Sequence, residues 1–231
     1  RERIMTFAKT ATVSRQLNAF YAVYLPILCA EQFRNVYTVF AGGDDFFLIG
    51  PWHETQRLAI KLEDDFKQFV ALNPDIHFSI GMVMTKPAVP TRTLARIAEE
   101  ALSEAKGQGK NRVTLYGQTV TWDQFRALQE VEAFLSSAAE RYGVSTSYLY
   151  SLFNILDMAG DKTRPEAAMW RSRLYYTTTR LFEAQRQTMS VDRQRARDEF
   201  LQTLLKYLEK HGSALRIPLT NTFYAVRRIN G

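Results

Sequence analysis

The stretch from Val36 to Ile49 constrains this chain more than any other. Val36–Phe40 is β-branched and aromatic, Ala41-Gly42-Gly43-Asp44 carries turn residues, and Phe46–Ile49 is apolar again. Two strand-forming runs joined by a short glycine-rich loop predict a β-hairpin. Two adjacent carboxylates, Asp44 and Asp45, stand at its tip. Side chains alternate between the faces of a strand. Both carboxylates therefore reach one site only if the turn rotates one of them.

The elements around the hairpin follow from pattern and punctuation. Ile4 to about Glu31 has helical periodicity, with Phe7, Ala11, Leu17, Tyr21, Tyr24 and Leu28 near one face and Pro26 expected to bend it. Gly50-Pro51 closes the hairpin, and a helix is expected from there to about Leu72, before Asn73-Pro74. His77–Met84 reads as a strand, Thr91 as the cap of a helix running to about Lys106, and Val113–Tyr116 as a last strand. After Gly117 no strand is expected. Thr121 and Gln124 form a capping-box pair opening a helix to about Tyr142, with Gly143 as its stop. Further helices are expected over Thr146–Met158, Pro165–Gln187, Asp192–His211 and Leu219–Ile229. The order predicts an α+β domain, residues 1–120, with its helices against one sheet, followed by an all-α domain, residues 121–231.

Composition excludes several classes. Hydrophobic residues make up 46% of the 231, enough for packed cores. Cys29 is the single cysteine, so no intrachain disulfide forms, and a cytoplasmic setting is expected. The apolar run Phe20–Ala30 is shorter than the roughly 18–20 residues of a membrane span and contains Pro26. A net charge of +6 favours anionic partners such as nucleotides or RNA. The chain opens Arg-Glu-Arg without an initiator methionine, which suggests a piece of a longer protein.

A Gly-Gly-Asp-Asp tip has a definite chemistry. Glycine permits positive φ and lets an anionic ligand approach the backbone, whose N–H groups can face phosphate oxygens. Paired carboxylates suit hard divalent cations, and Mg²⁺ takes one or two of them plus substrate phosphates. Two such ions can activate a ribose hydroxyl and stabilise leaving pyrophosphate.

The run Val39-Phe40-Ala41-Gly42-Gly43-Asp44-Asp45-Phe46-Phe47-Leu48-Ile49-Gly50-Pro51-Trp52 resembles the palm signature of the large subunit of type III CRISPR effector complexes, nearest the Csm (III-A) type. Thr10–Leu17 resembles the helix after that family's first palm strand. Ser79-Ile80-Gly81 resembles its next strand, and Ala105-Lys106 through Gly109-Lys110-Asn111-Arg112 its helix end and strand entry. The resemblance implies a ferredoxin-like, nucleotidyl-cyclase palm with a helical C-terminal domain. It implies synthesis of cyclic oligoadenylates from ATP once the complex has bound target RNA. It makes Asp44 and Asp45 ligands of two Mg²⁺ or Mn²⁺ ions, Gly42 and Gly43 the close-approach turn, and Lys106 and Lys110 candidate triphosphate contacts. The implied partners are the other subunits of such a complex, guide RNA and target RNA, with the small helical subunit against the C-terminal domain and no membrane. The family's palm begins with an Asp-bearing strand that supplies a further ligand. The chain starts after it, so this piece alone is expected to be catalytically incomplete.

Other residues are less directive. His53, His77 and His211 are far apart in sequence, and no His/Cys cluster has zinc spacing. Cys29 is expected to pack as a small hydrophobe. Arg171, Arg173, Arg180, Arg186, Arg193, Arg195 and Arg197 interleave with Tyr148, Tyr150, Trp170, Tyr175 and Tyr176. Such a region can meet RNA, or form a bundle with aromatic core positions and charged outer faces. The sequence leaves two rival readings open. A diguanylate cyclase-like enzyme uses GTP and usually carries Glu where Asp45 stands. A degenerate palm acts only as a scaffold.

Overall fold

The computed structural model describes residues 7–161, 163, 165–183 and 191–229. They form two compact units. The first holds the residues up to Ile80 with Met84–Glu100, and the second holds Gly81–Val83 with the residues from Ala101 onward. The architecture is α+β, with a palm-type half followed by a helical half.

The first unit opens with α1 (Phe7–Ala19), a π-helical turn (Phe20–Tyr24) and α2 (Leu25–Gln32). Pro26 causes the widening. Its ring lacks an N–H and would clash with the carbonyl four residues back, so the ladder passes into i→i−5 bonding, with Leu25 N–H donating to the Phe20 carbonyl. Residues 4–6 of the expected first helix lie outside the described residues.

β1 (Tyr37–Gly42) and β2 (Asp45–Ile49) pair antiparallel, from Tyr37 opposite Ile49 to Gly42 opposite Asp45. The register shifts between Thr38 and Phe40, which leaves Val39 as a bulge. α3 (Trp52–Phe69) ends before the expected Leu72. Leu72 N–H donates to the Lys67 carbonyl at 2.7 Å, a 6→1 bond that turns the chain while Ala71 and Leu72 sit at φ 52° and 59°.

The core of this unit is aromatic. Phe20, Tyr21, Leu25, Leu28, Cys29, Phe33 and Val36 bury against Leu58, Leu62 and Phe66 of α3, with Ala41, Phe46 and Leu48 closing one side. Cys29 is buried as a small apolar group, and burial pushes its thiol pKa up.

The second unit carries β3 (Ile80–Met82, of which Ile80 falls in the first unit), β4 (Arg112–Leu115) and β5 (Gln118–Thr121) as a sheet in that order. Between the hairpin and β3 comes no other strand among the described residues, and α4 (Thr91–Gly107) follows β3. Two expectations are corrected here. The strand expected over His77–Met84 is laddered only at Ile80–Met82, because Phe78 is drawn into the aromatic core of the first unit, 5.0 Å from the ring of Phe66. A strand does follow Gly117. Tyr116 and Gly117, at φ 52° and 72°, make a two-residue turn, and Thr119-Val120-Thr121 returns along β4.

The single sheet is also corrected. β1–β2 form one sheet and β3-β4-β5 another. In a β-α-β-β-α-β palm the strand before the first helix bonds to both the hairpin and the later strands. No described strand precedes α1, so nothing among the described residues joins the two ladders.

Helices fill the rest. They are α5 (Trp122–Tyr142), α6 (Thr146–Gly160), α7 (Trp170–Glu183), α8 (Val191–His211) and α9 (Arg216–Ile229). Gln124 N–H donates to Thr121 Oγ1 at 3.2 Å, and Gly143 takes φ 59° where α5 stops. The helix expected over Pro165–Gln187 starts as a 3₁₀ segment, Pro165–Met169, and residues 184–187 lie outside the described residues. α9 starts three residues before the expected Leu219. Pro218 falls in its first turn, where the missing N–H costs no intrahelical bond. Phe200 centres the core here, within 6.3 Å of the rings of Phe134, Tyr142, Tyr148 and Phe182.

Candidate functional site

The tip of the β1–β2 hairpin is a two-residue loop, Gly43-Asp44. Gly43 sits at φ 65°, and Asp44 is not among the positive-φ residues, the φ pattern of a type II′ turn. That pattern requires glycine at Gly43, although the space around it is open. Gly42 differs. A methyl there would meet Phe40 Cζ at 3.6 Å, an ordinary contact, so the fold itself does not demand glycine.

Asp44 and Asp45 are both exposed, one in the loop and one opening β2. Their charge is felt below. Tyr21 is 2% exposed and stacks on Phe46, the residue after Asp45, at 5.4 Å. Burial pushes the Tyr21 hydroxyl pKa up, and the carboxylates of Asp44 and then Asp45 push it further. Asn18, three residues before Tyr21, reaches the loop directly, and Gly43 N–H donates to its Oδ1 at 2.7 Å. The amide expected to face a phosphate therefore faces a side chain of α1.

The structure brings Gly42, Gly43, Asp44 and Asp45 together on one hairpin of the first unit. Lys106 and Lys110 belong to the second unit. Lys106 is exposed in the last turn of α4, where the helix dipole favours a cation. Lys110 is exposed at φ 59°, and its N–H donates to the Ala105 carbonyl at 3.2 Å. Asn18 and Tyr21 were not singled out as site residues by the sequence. Helical periodicity places Tyr21 in a core, but nothing in the sequence marks Asn18 as a partner of a glycine 25 residues away.

Two exposed carboxylates fit the hard-oxygen chemistry of Mg²⁺ or Mn²⁺, which complete their shells with water and phosphate oxygens. No group of three or more His, Cys, Asp or Glu able to hold a metal occurs among the described residues. His53 approaches Glu54 at 3.8 Å beyond the hairpin, and His77 is exposed. Among the arginines, Arg171 pairs with Glu209 at 2.9 Å and lies 4.4 Å from the ring centroid of Trp170, while Arg180 lies over Tyr176. Tyr148 is core, its hydroxyl 2.8 Å from that of Thr178, whereas Tyr150, Tyr175 and Tyr176 are exposed. Arg186 lies outside the described residues. No described helix is long and apolar enough to cross a membrane.

Residues 2–114 match the family described as Cas10/Cmr2, second palm domain. Over 141 residues, 51% of this chain, the sequence is 31% identical to the CRISPR system single-strand-specific deoxyribonuclease Cas10/Csm1 (subtype III-A) of Methanocaldococcus jannaschii, covering 18% of that protein. The chain spans less than a quarter of the length of the curated relatives it matches. The fold is that of the crystal structure of Csm1 in T. onnurineus, with a TM-score of 0.70 and 19% identity over 95% of this chain and 34% of that one. The same fold recurs in Csm1–Csm4 cassettes solved with one ATP and with cA4. Their TM-scores are 0.67 and 0.66, each at 19% identity over 95% of this chain and 33% of theirs.

Proposed function

We propose that this chain, whose residues 2–114 match the second palm domain of Cas10/Cmr2, is part of the large subunit of a type III CRISPR effector complex, and that its Gly-Gly-Asp-Asp hairpin is the ATP- and metal-binding part of a cyclic oligoadenylate synthase. The observation that carries the reading is the Gly43-Asp44 loop itself. It is a tight turn with glycine at the positive-φ position and two exposed carboxylates, inside the segment matched to the second palm. The cA4 and ATP complexes of proteins with the same fold support the substrate and product class. We read residues 1–120 as the palm and 121–231 as the helical domain, supported by the end of the family match at residue 114.

In this mechanism Asp44 and Asp45 would hold Mg²⁺ or Mn²⁺ by their carboxylates, and the ions, when bound, would supply activation of a ribose hydroxyl and charge neutralisation for a departing pyrophosphate. Gly42 and Gly43 are read as the close-approach turn for the nucleotide, with open space around Gly43. The aromatic floor of Tyr21, Phe46, Phe66 and Phe78 holds the hairpin on the helices, so the carboxylates need little reorganisation on binding. Lys106 and Lys110 are read as triphosphate contacts. The complex's other subunits, guide RNA and target RNA are the proposed partners, with the small helical subunit on the C-terminal domain. The Csm1–Csm4 cassettes support the assembly.

The full-length subunit, assembled with its guide RNA, tests the reading. Target RNA, ATP and Mg²⁺ should yield cyclic oligoadenylates, and Asp44→Ala with Asp45→Ala should abolish them. A product made from GTP in preference to ATP would favour a diguanylate cyclase-like enzyme. Undiminished synthesis by the double variant would leave the hairpin as scaffold.

A further inference from the structure

We infer that Asn18 is a positioning residue for the metal-binding loop. The inference rests on the reading of Asp44 and Asp45 as metal ligands. Three observations converge on it. Gly43 N–H donates to Asn18 Oδ1 at 2.7 Å, and this is a contact between a helix and the tip of a hairpin, across 25 positions of sequence. The loop is otherwise open, since a methyl placed on Gly43 would meet no atom within 4 Å. Below the loop Tyr21, in the π turn that continues α1, is fixed by its stacking on Phe46 and Phe66, which anchors the end of α1 that carries Asn18.

The glycine in the Gly43-Asp44 loop is the position with the most backbone freedom in the turn. Its peptide planes can rotate, and each rotation swings the carboxylate of the next residue. Anchoring the Gly43 amide fixes the Gly42–Gly43 peptide plane at the entry to the loop, which holds Gly43 at its positive φ and so sets the path of the backbone into Asp44. Asp45 is fixed separately by its pairing with Gly42. Asn18 thus holds the loop that carries Asp44 in one position beside Asp45, acting through the backbone without touching the metal. Outer contacts of this kind set metal affinity by about 10–100-fold.

The test compares the wild-type full-length subunit with Asn18→Ala and Asn18→Asp, the latter keeping an acceptor oxygen at the same reach. Mn²⁺ binding in the presence of ATP is followed by electron paramagnetic resonance, Gly43 amide exchange by NMR and folding by thermal melting. The expected result for Asn18→Ala is faster Gly43 exchange and Mn²⁺ binding weakened about tenfold, at an unchanged melting temperature. Asn18→Asp should restore slow exchange and recover most of the affinity. Unchanged Mn²⁺ affinity in Asn18→Ala overturns the inference. So does a loss of affinity that follows a lower melting temperature and is not recovered by Asn18→Asp. Asp44→Ala/Asp45→Ala serves as the reference. If that variant binds Mn²⁺ like wild type, the metal reading itself fails, and the inference with it.

Discussion

A methyl group on Gly50 would lie 2.9 Å from Cγ2 of Val36 and 3.0 Å from its Cα. The glycine at the exit of the hairpin is therefore pressed against the residue at its entry. Backbone atoms on the Val36 side cannot yield as a flexible side chain would. Gly50→Ala is expected to destabilise the first unit by about 1–3 kcal/mol, the usual range for overpacking, measured by denaturant unfolding. Gly42→Ala, with its nearest contact at 3.6 Å, should change stability by less than about 0.5 kcal/mol.

Gly43→Ala separates backbone strain from space. Nothing would clash with the new methyl, but φ 65° is unfavourable for an L residue by about 1–2 kcal/mol. A loss of that size without change in the hairpin's nuclear Overhauser contacts is the expected outcome. No loss would show that the loop readily adopts another turn.

Each single change, Asp44→Ala or Asp45→Ala, should lower oligoadenylate synthesis by at least about a hundredfold, because electrostatic stabilisation of developing charge is a large catalytic contribution. Lys106→Ala and Lys110→Ala should instead raise the KM for ATP by up to about tenfold with little effect on kcat. Both lysines are exposed, so the effect should shrink in high salt. Steady-state kinetics of the assembled complex distinguish the two classes.

In the second unit Tyr116 donates to Asn221 Oδ1 at 3.1 Å, and Asn221 donates to Glu132 Oε2 at 2.7 Å. Asn221 is 1% exposed, and burial holds the Glu132 carboxyl pKa above the ordinary value, partly offset by this bond. Asn221→Leu removes both contacts. It should cost about 1–3 kcal/mol in thermal or chemical unfolding.

His211 gives a pH signature. It is 8% exposed, and its Nε2 is buried with no hydrogen-bond partner among the described residues. Burial and then Lys210 hold its pKa below the ordinary 6.5, with Glu130 opposing. The unfolded chain therefore takes up a proton before the folded one. The stability this neutral imidazole supports is complete above pH 6.5 and declines as pH falls from there toward the lowered folded value. The difference in unfolding free energy between wild type and His211→Gln should narrow over that window. A difference independent of pH would contradict the assignment.

Much of this protein was legible in short-range patterns. Strand runs around Gly42-Gly43 define the hairpin, Pro26 marks where the first helix is disturbed, and Thr121 with Gly143 marks the limits of α5. These signals are local, set by φ preferences, missing donors and caps within a few residues. Signals that failed were those needing a partner. Thr119-Val120-Thr121 is too short to read as a strand until the Tyr116-Gly117 turn lays it against Val113-Thr114-Leu115. His77–Met84 is apolar enough for a longer strand, yet Phe78 goes to the aromatic core and the ladder keeps only Ile80–Met82.

The candidate site divides the same way. Gly42, Gly43, Asp44 and Asp45 were determined by sequence alone, because adjacent residues in a glycine turn share a place in any fold that forms the turn. The tertiary structure decided what stands around them. Asn18 meets Gly43, and Tyr21 lies beneath the two carboxylates, because α1 and its π turn pack against the hairpin. A contact across 25 residues depends on how a helix is rotated against a sheet, and side-chain packing fixes that rotation where local preference does not.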